Sequence, residues 1–148
     1  MEVSTKETLV GTASRVFEQA AFMFADEVET IDTDLVLGVS LKFTGENNGT
    51  VELWTVKELA IAIADNLLGE IDALSEEKLQ ARLVDALKEM LNMIAGNLIT
   101  DLFGTAPVYN LEIPEVISEP QILKAIPENA AKLHVEGFPA VLLIHLQN

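Results

Sequence analysis

Four residues in one stretch of the chain, Asp85, Glu89, Asn92 and Gly96, set two carboxylates, a carboxamide and a bare backbone position at intervals of four, three and four. On an α-helix, which turns about 100° per residue, all four fall within roughly 60° of one another. Carboxylates accept hydrogen bonds and pair with cations, whereas a carboxamide both accepts and donates. A glycine in a helix interior costs about 1 kcal/mol relative to alanine. Gly96 therefore points to a close approach, by a neighbouring helix or by a partner protein. A solvated helix face paired with Lys88 and Arg82 has the same composition. The spacing alone leaves both readings open.

Such a row needs a rigid rod behind it. Leu83, Leu87, Leu91, Ile94 and Leu98 recur on the opposite side of the same helix and are expected to pack on a sheet. Ser75, followed by Glu76, Glu77 and Lys78, reads as an N-cap with an acidic first turn. From there the helical period runs to about Phe103, with Gly104 behind it.

The other elements are shorter. Leu9, Ala13, Val16, Phe17, Ala20 and Phe24 predict a first helix from Thr5 to Asp26. The acidic cluster Asp26, Glu27, Glu29, Asp32 and Asp34 reads as a solvated connection. Leu35–Thr44 and Thr50–Val56 read as two strands of a hairpin around the turn residues 45–49. Lys57–Leu68 is a short helix closed by Gly69. Val108–Ile117, Lys132–Glu136 and Ala140–Gln147 read as strands separated by proline-bearing turns. Phe22, Phe24 and Trp54 are assigned to the core. The expected architecture is α+β, two long helices on one face of a mainly antiparallel sheet, in a single domain over 1–148.

The stretch Asp85-Ala86-Leu87-Lys88-Glu89-Met90-Leu91-Asn92-Met93-Ile94-Ala95-Gly96-Asn97 resembles the signature helix of the CheC/CheX/FliY phosphatases of bacterial chemotaxis. That signature is Asp or Ser, three residues, Glu, two residues, Asn, and a small-residue stretch ending in Gly. The element order over residues 35–117 resembles the family's as well. The resemblance implies a phosphatase acting on the aspartyl phosphate of a response-regulator receiver domain of the CheY type. Glu89 and Asn92 are then the catalytic residues, and Asp85 and Gly96 contact the partner. No cofactor is held by this chain, and Mg²⁺ is expected on the receiver. In the first helix Ser14, Glu18 and Ala21 repeat the spacing with alanine at the amide position, a decayed site or a coincidence. A single site is closest to CheX and implies a homodimer, for which the apolar C-terminal segment offers a strand edge. The alternatives are a receiver-binding protein without hydrolytic activity and a structural component related to the flagellar switch.

Composition narrows the partners. The chain of 148 residues carries 9 basic and 24 acidic residues, a formal net charge of −15. That surface does not suit nucleic acid or anionic membranes. The absence of cysteine excludes thiolate metal sites and cysteine nucleophiles. His134 and His145, in separate strands with no carboxylate at ligand spacing, are read as ordinary core or surface histidines. The N-terminus lacks the pattern of a secretory signal, and no apolar run reaches the about 20 residues of a membrane helix. The expected location is cytoplasmic.

Overall fold

In the computed structural model, residues 5–69, 74–117, 123 and 125–147 are described. Residues 1–4, the start of the stretch on which the signal-peptide reading rests, lie outside them. The elements in chain order are α1 (Thr5–Ala21), β1 (Ala25–Glu27), β2 (Leu37–Thr44), β3 (Asn48–Thr55), α2 (Lys57–Leu67), α3 (Glu76–Phe103), β4 (Asn110–Leu111), β5 (Glu115–Val116), β6 (Ala131–Val135) and β7 (Phe138–Gln147).

The strands form one sheet in the order β1-β6-β7-β3-β2-β4, with β5 also paired to β2, and every pairing is antiparallel. In β2 the alternate residues Val39, Leu41 and Phe43 are buried, and opposite them in β3 lie Leu53, Val51 and Gly49. This period-two pattern turns one side of the sheet toward the helices. The helix α3 packs across β2 and β3, α1 across β6 and β1, and α2 against β7, and the three helices also pack on one another. The layer thus contains three helices rather than two, the third being the 11-residue α2.

The 28-residue α3 forms where its sequence signals place it. The Ser75 side chain accepts a hydrogen bond from the Lys78 amide at 3.3 Å. At the other end Gly104 takes φ +87° and its amide bonds the Thr100 carbonyl. Leu83, Leu87, Leu91, Ile94 and Leu98 are all buried. Truncating any one of them to alanine is expected to cost about 2–5 kcal/mol.

Two expectations fail at the first helix. It stops at Ala21, not Asp26, because Phe22 adopts a left-handed conformation (φ 58°) and reverses the chain. The Met23 amide then bonds the Phe17 carbonyl, and the Met23 side chain enters the core. Phe22 and Phe24 consequently point outward, 79% and 68% exposed, whereas Trp54 is buried. Part of the acidic connection is itself a strand: Asp26 and Glu27 lie in β1 and pair with His134 and Leu133. A residue with positive φ that is neither Gly nor Asn gives no sequence warning of such a turn.

The C-terminal segment is the strand β7. Strand β7 is paired to β3 from Ala140 to Gln147 but to β6 only from Phe138 to Leu142, so both sides are taken up from Ala140 to Leu142 and one side in its second half. The outer strands are β1 at one side and β4 with β5 at the other.

Candidate functional site

Asp85, Glu89 and Asn92 are exposed on α3, one turn apart, while their neighbours Ala86, Leu87, Met90 and Leu91 are buried. The three polar residues line one open groove of ≈ 420 Å³ together with Lys88. Its opposite wall is Leu111, at the end of β4, and Glu112-Ile113-Pro114, which join β4 to β5. Gly96 lies further along the same helix face, beside a second depression that shares Leu111 with the first. A methyl group added at Gly96 would meet only the Leu111 Cδ1 atom, at 4.0 Å. That is ordinary contact, so no neighbouring helix of this chain requires the glycine.

The opposite wall is held firmly. Phe43 pairs with Leu111 and Val39 with Val116 across the sheet, and the Glu112 amide bonds the Lys42 carbonyl at 2.8 Å. Between the paired residues Pro114 cannot donate to a ladder, so the expected single strand Val108–Ile117 is broken into two. The rings of Phe43, Phe103 and Tyr109 meet with centroids 5.5–6.3 Å apart and tie the end of α3 to the start of β4. The Tyr109 hydroxyl accepts a hydrogen bond from the Asn47 amide group at 2.9 Å. Sequence reasoning missed Glu112, Ile113 and Pro114 as groove residues, because nothing local shows that this segment crosses beside the signature helix.

The helix α3 is locked to α1 at its far end. Asp101 accepts from the Thr12 hydroxyl at 2.5 Å and from the Arg15 guanidinium at 2.7 Å. Burial works to raise the Asp101 carboxyl, but the Thr12 and Arg15 hydrogen bonds and the Arg15 charge outweigh it and hold the group below the usual carboxylate range. The Arg15 side chain also reaches Asn97, at 3.5 Å.

The repeated spacing on α1 does not build a second face. Glu18 is exposed, but Ala21 is fully buried in the core. His145 is likewise less isolated than its sequence neighbours suggest. Its Nε2 lies 3.2 Å from Glu52 across the β3–β7 pair, and Glu52 also accepts from the Trp54 indole at 2.7 Å. Among the described residues no group of three or more His, Asp or Glu side chains is placed to hold a metal ion. No helix among them is long and apolar enough to cross a membrane.

Comparison with known proteins places this geometry in context. A family model described as "Chemotaxis phosphatase CheX" matches residues 37–136, which span the hairpin, α2, α3 and the groove's second wall. No match was found among curated proteins. Among solved structures the fold is similar to a chemotaxis protein CheX from Desulfovibrio desulfuricans, with a TM-score of 0.73, 17% identity, and coverage of 97% of this chain and 99% of that one. It is similar to a CheX from Vibrio vulnificus, with a TM-score of 0.73, 16% identity, and coverage of 98% and 97%. It is also similar to a chain of the CheX-CheY-BeF3-Mg complex from Borrelia burgdorferi, with a TM-score of 0.71, 19% identity, and coverage of 99% and 100%.

Proposed function

Because this chain belongs to the CheX family of chemotaxis phosphatases, we propose that it hydrolyses the aspartyl phosphate of a CheY-type receiver domain, with Glu89 and Asn92 entering the receiver's active site. The observation that carries this reading is the pairing of a carboxylate and a carboxamide on a buried-backed helix, both exposed and both on one groove. A relative of the same fold has been crystallised with CheY, beryllofluoride and Mg²⁺. That supports a receiver as the partner here, and the Mg²⁺ is proposed to be held by that receiver.

Hydrolysis of an acyl phosphate needs a water in line with the leaving aspartate oxygen. The water oxygen attacks phosphorus, the bond from phosphorus to the aspartate oxygen breaks, and the proton released goes to the departing phosphate. Catalysis of this step is mostly positioning and charge stabilisation. The Asn92 carbonyl oxygen accepts from the water and fixes its direction, while its amino group donates nearby. Glu89, one turn earlier, pairs with a lysine of the receiver and sets the register of the complex. Asp85 and Gly96 contact the partner at the ends of the row. The metal bound by the receiver supplies charge neutralisation at the phosphoryl oxygens.

The test is the lifetime of the phosphoryl group on a CheY-type receiver, with and without this protein at saturating concentration. A shortened lifetime is expected. An unchanged lifetime, with complex formation still measurable, would leave a receiver-binding protein instead. A homodimer acting in the cytoplasm is proposed as well, and sedimentation of the free protein checks the dimer.

A further inference from the structure

Building on the receiver-phosphatase reading, we propose that the β4–β5 segment is a second docking wall. Ile113 on that wall is the apolar anchor and Lys88, on the α3 side of the same groove, the charged one, and both grip the loops that border the receiver's phosphorylation site. Ile113 is 84% exposed, although the segment carrying it is fixed on both sides by pairing to β2. Exposed apolar residues are ordinary when scattered. Here Leu111, which lines the same groove, and Val116, further along the same short stretch, are also exposed. A contiguous apolar patch rimmed by polar groups marks an interaction surface.

Lys88 supplies the charge complementarity. It lines the groove together with Asp85, Glu89 and Glu112, and it forms no ion pair among the described residues. On the helix it stands one turn before Asn92, on the same side. A receiver's phosphorylation site brings carboxylates and a phosphoryl group to that position, and the ammonium meets them. A second copy of this chain is the poorer occupant. It would bring a net charge of −15 against −15 and would bury Glu89 and Asn92. Because the wall is held by backbone pairing before any partner arrives, little ordering is needed on association.

Binding of a CheY-type receiver loaded with beryllofluoride and Mg²⁺ is to be measured by titration for wild type, Ile113→Asp, Lys88→Glu and Val108→Asp. Val108 is 88% exposed on the same stretch but lies off the groove, so it controls for the loss of any exposed apolar residue. Ile113→Asp and Lys88→Glu are expected to weaken binding about tenfold or more, with Val108→Asp within about twofold of wild type. In turnover assays the loss at Ile113→Asp falls on KM more than on kcat, and its unfolding midpoint matches wild type. Binding by Ile113→Asp within about twofold of wild type, or a changed sedimentation of the phosphatase alone, overturns the proposal. So does a wild-type protein that does not bind the loaded receiver. If wild type shortens the phosphoryl lifetime but both variants bind normally, the wall fails and the hydrolytic reading stands. If wild type binds in this pattern without shortening the lifetime, the wall stands and the hydrolytic reading fails.

Discussion

At the scale of single residues, two side chains one helical turn apart are assigned different work, and the assignment has separable consequences. In the proposed mechanism Asn92 acts on the attacking water and not on the receiver itself. Asn92→Ala is therefore expected to lower the dephosphorylation rate by about 10²-fold or more while receiver affinity stays near that of wild type. Glu89 is proposed to contact the receiver directly, so Glu89→Ala should weaken binding as well as rate. Single-turnover decay of the receiver phosphoryl group across a concentration series separates the two. An Asn92→Ala protein with normal decay would remove the carboxamide from the mechanism. These two residues were legible before any coordinates, because a 3.6-residue period assigns faces to a long helix almost without tertiary information. Ile113 was not, since its place in the groove depends on where a separate strand pairs.

At the scale of elements, the glycine and the far clamp of α3 give opposite tests. Gly96 sits in a helix interior with room for a methyl group, at 4.0 Å from its nearest neighbour. Gly96→Ala should therefore stabilise the fold by about 1 kcal/mol, read as a raised midpoint in denaturant unfolding. A lowered midpoint would show that the glycine serves this chain's own packing. The Asp101 clamp carries a pH dependence whose sign is set by its lowered carboxyl. A carboxylate held below its unfolded value contributes stability above the ordinary carboxyl range and loses it as pH falls through the lowered value. The stability gap between wild type and Asp101→Asn should thus shrink as pH falls from about 6 to about 3. A gap independent of pH would mean that Thr12 and Arg15 hold the charged and neutral forms alike. Elements were legible where local signals agreed, as at the Ser75 cap and at the short helix before Gly69. The reversal at Phe22 escaped because burial of Met23, a tertiary demand, overrode the helical period.

At the scale of the whole molecule, charge opposes the fold that the apolar core secures. Nine basic residues against 24 acidic ones leave a surplus of fifteen negative charges. The ion pairs Lys6–Glu27 and Lys57–Glu76 lie at the surface, where each contributes little. Self-repulsion of this size destabilises a compact state more than an expanded one. Sodium chloride shortens the reach of that repulsion from ~30 Å at 0.01 M to ~8 Å at 0.15 M, and it screens attractive and repulsive pairs alike. With repulsive pairs in the majority, the net effect favours folding. The thermal midpoint is therefore expected to rise by a few degrees between about 0.01 and 0.15 M sodium chloride, by calorimetry at neutral pH. Most of that gain should appear before the screening length falls below the spacing of neighbouring carboxylates. A midpoint that falls over this range would mean the acidic residues are arranged so that attraction to the few cations dominates. The surplus charge would then have to be explained by the partner rather than by the fold.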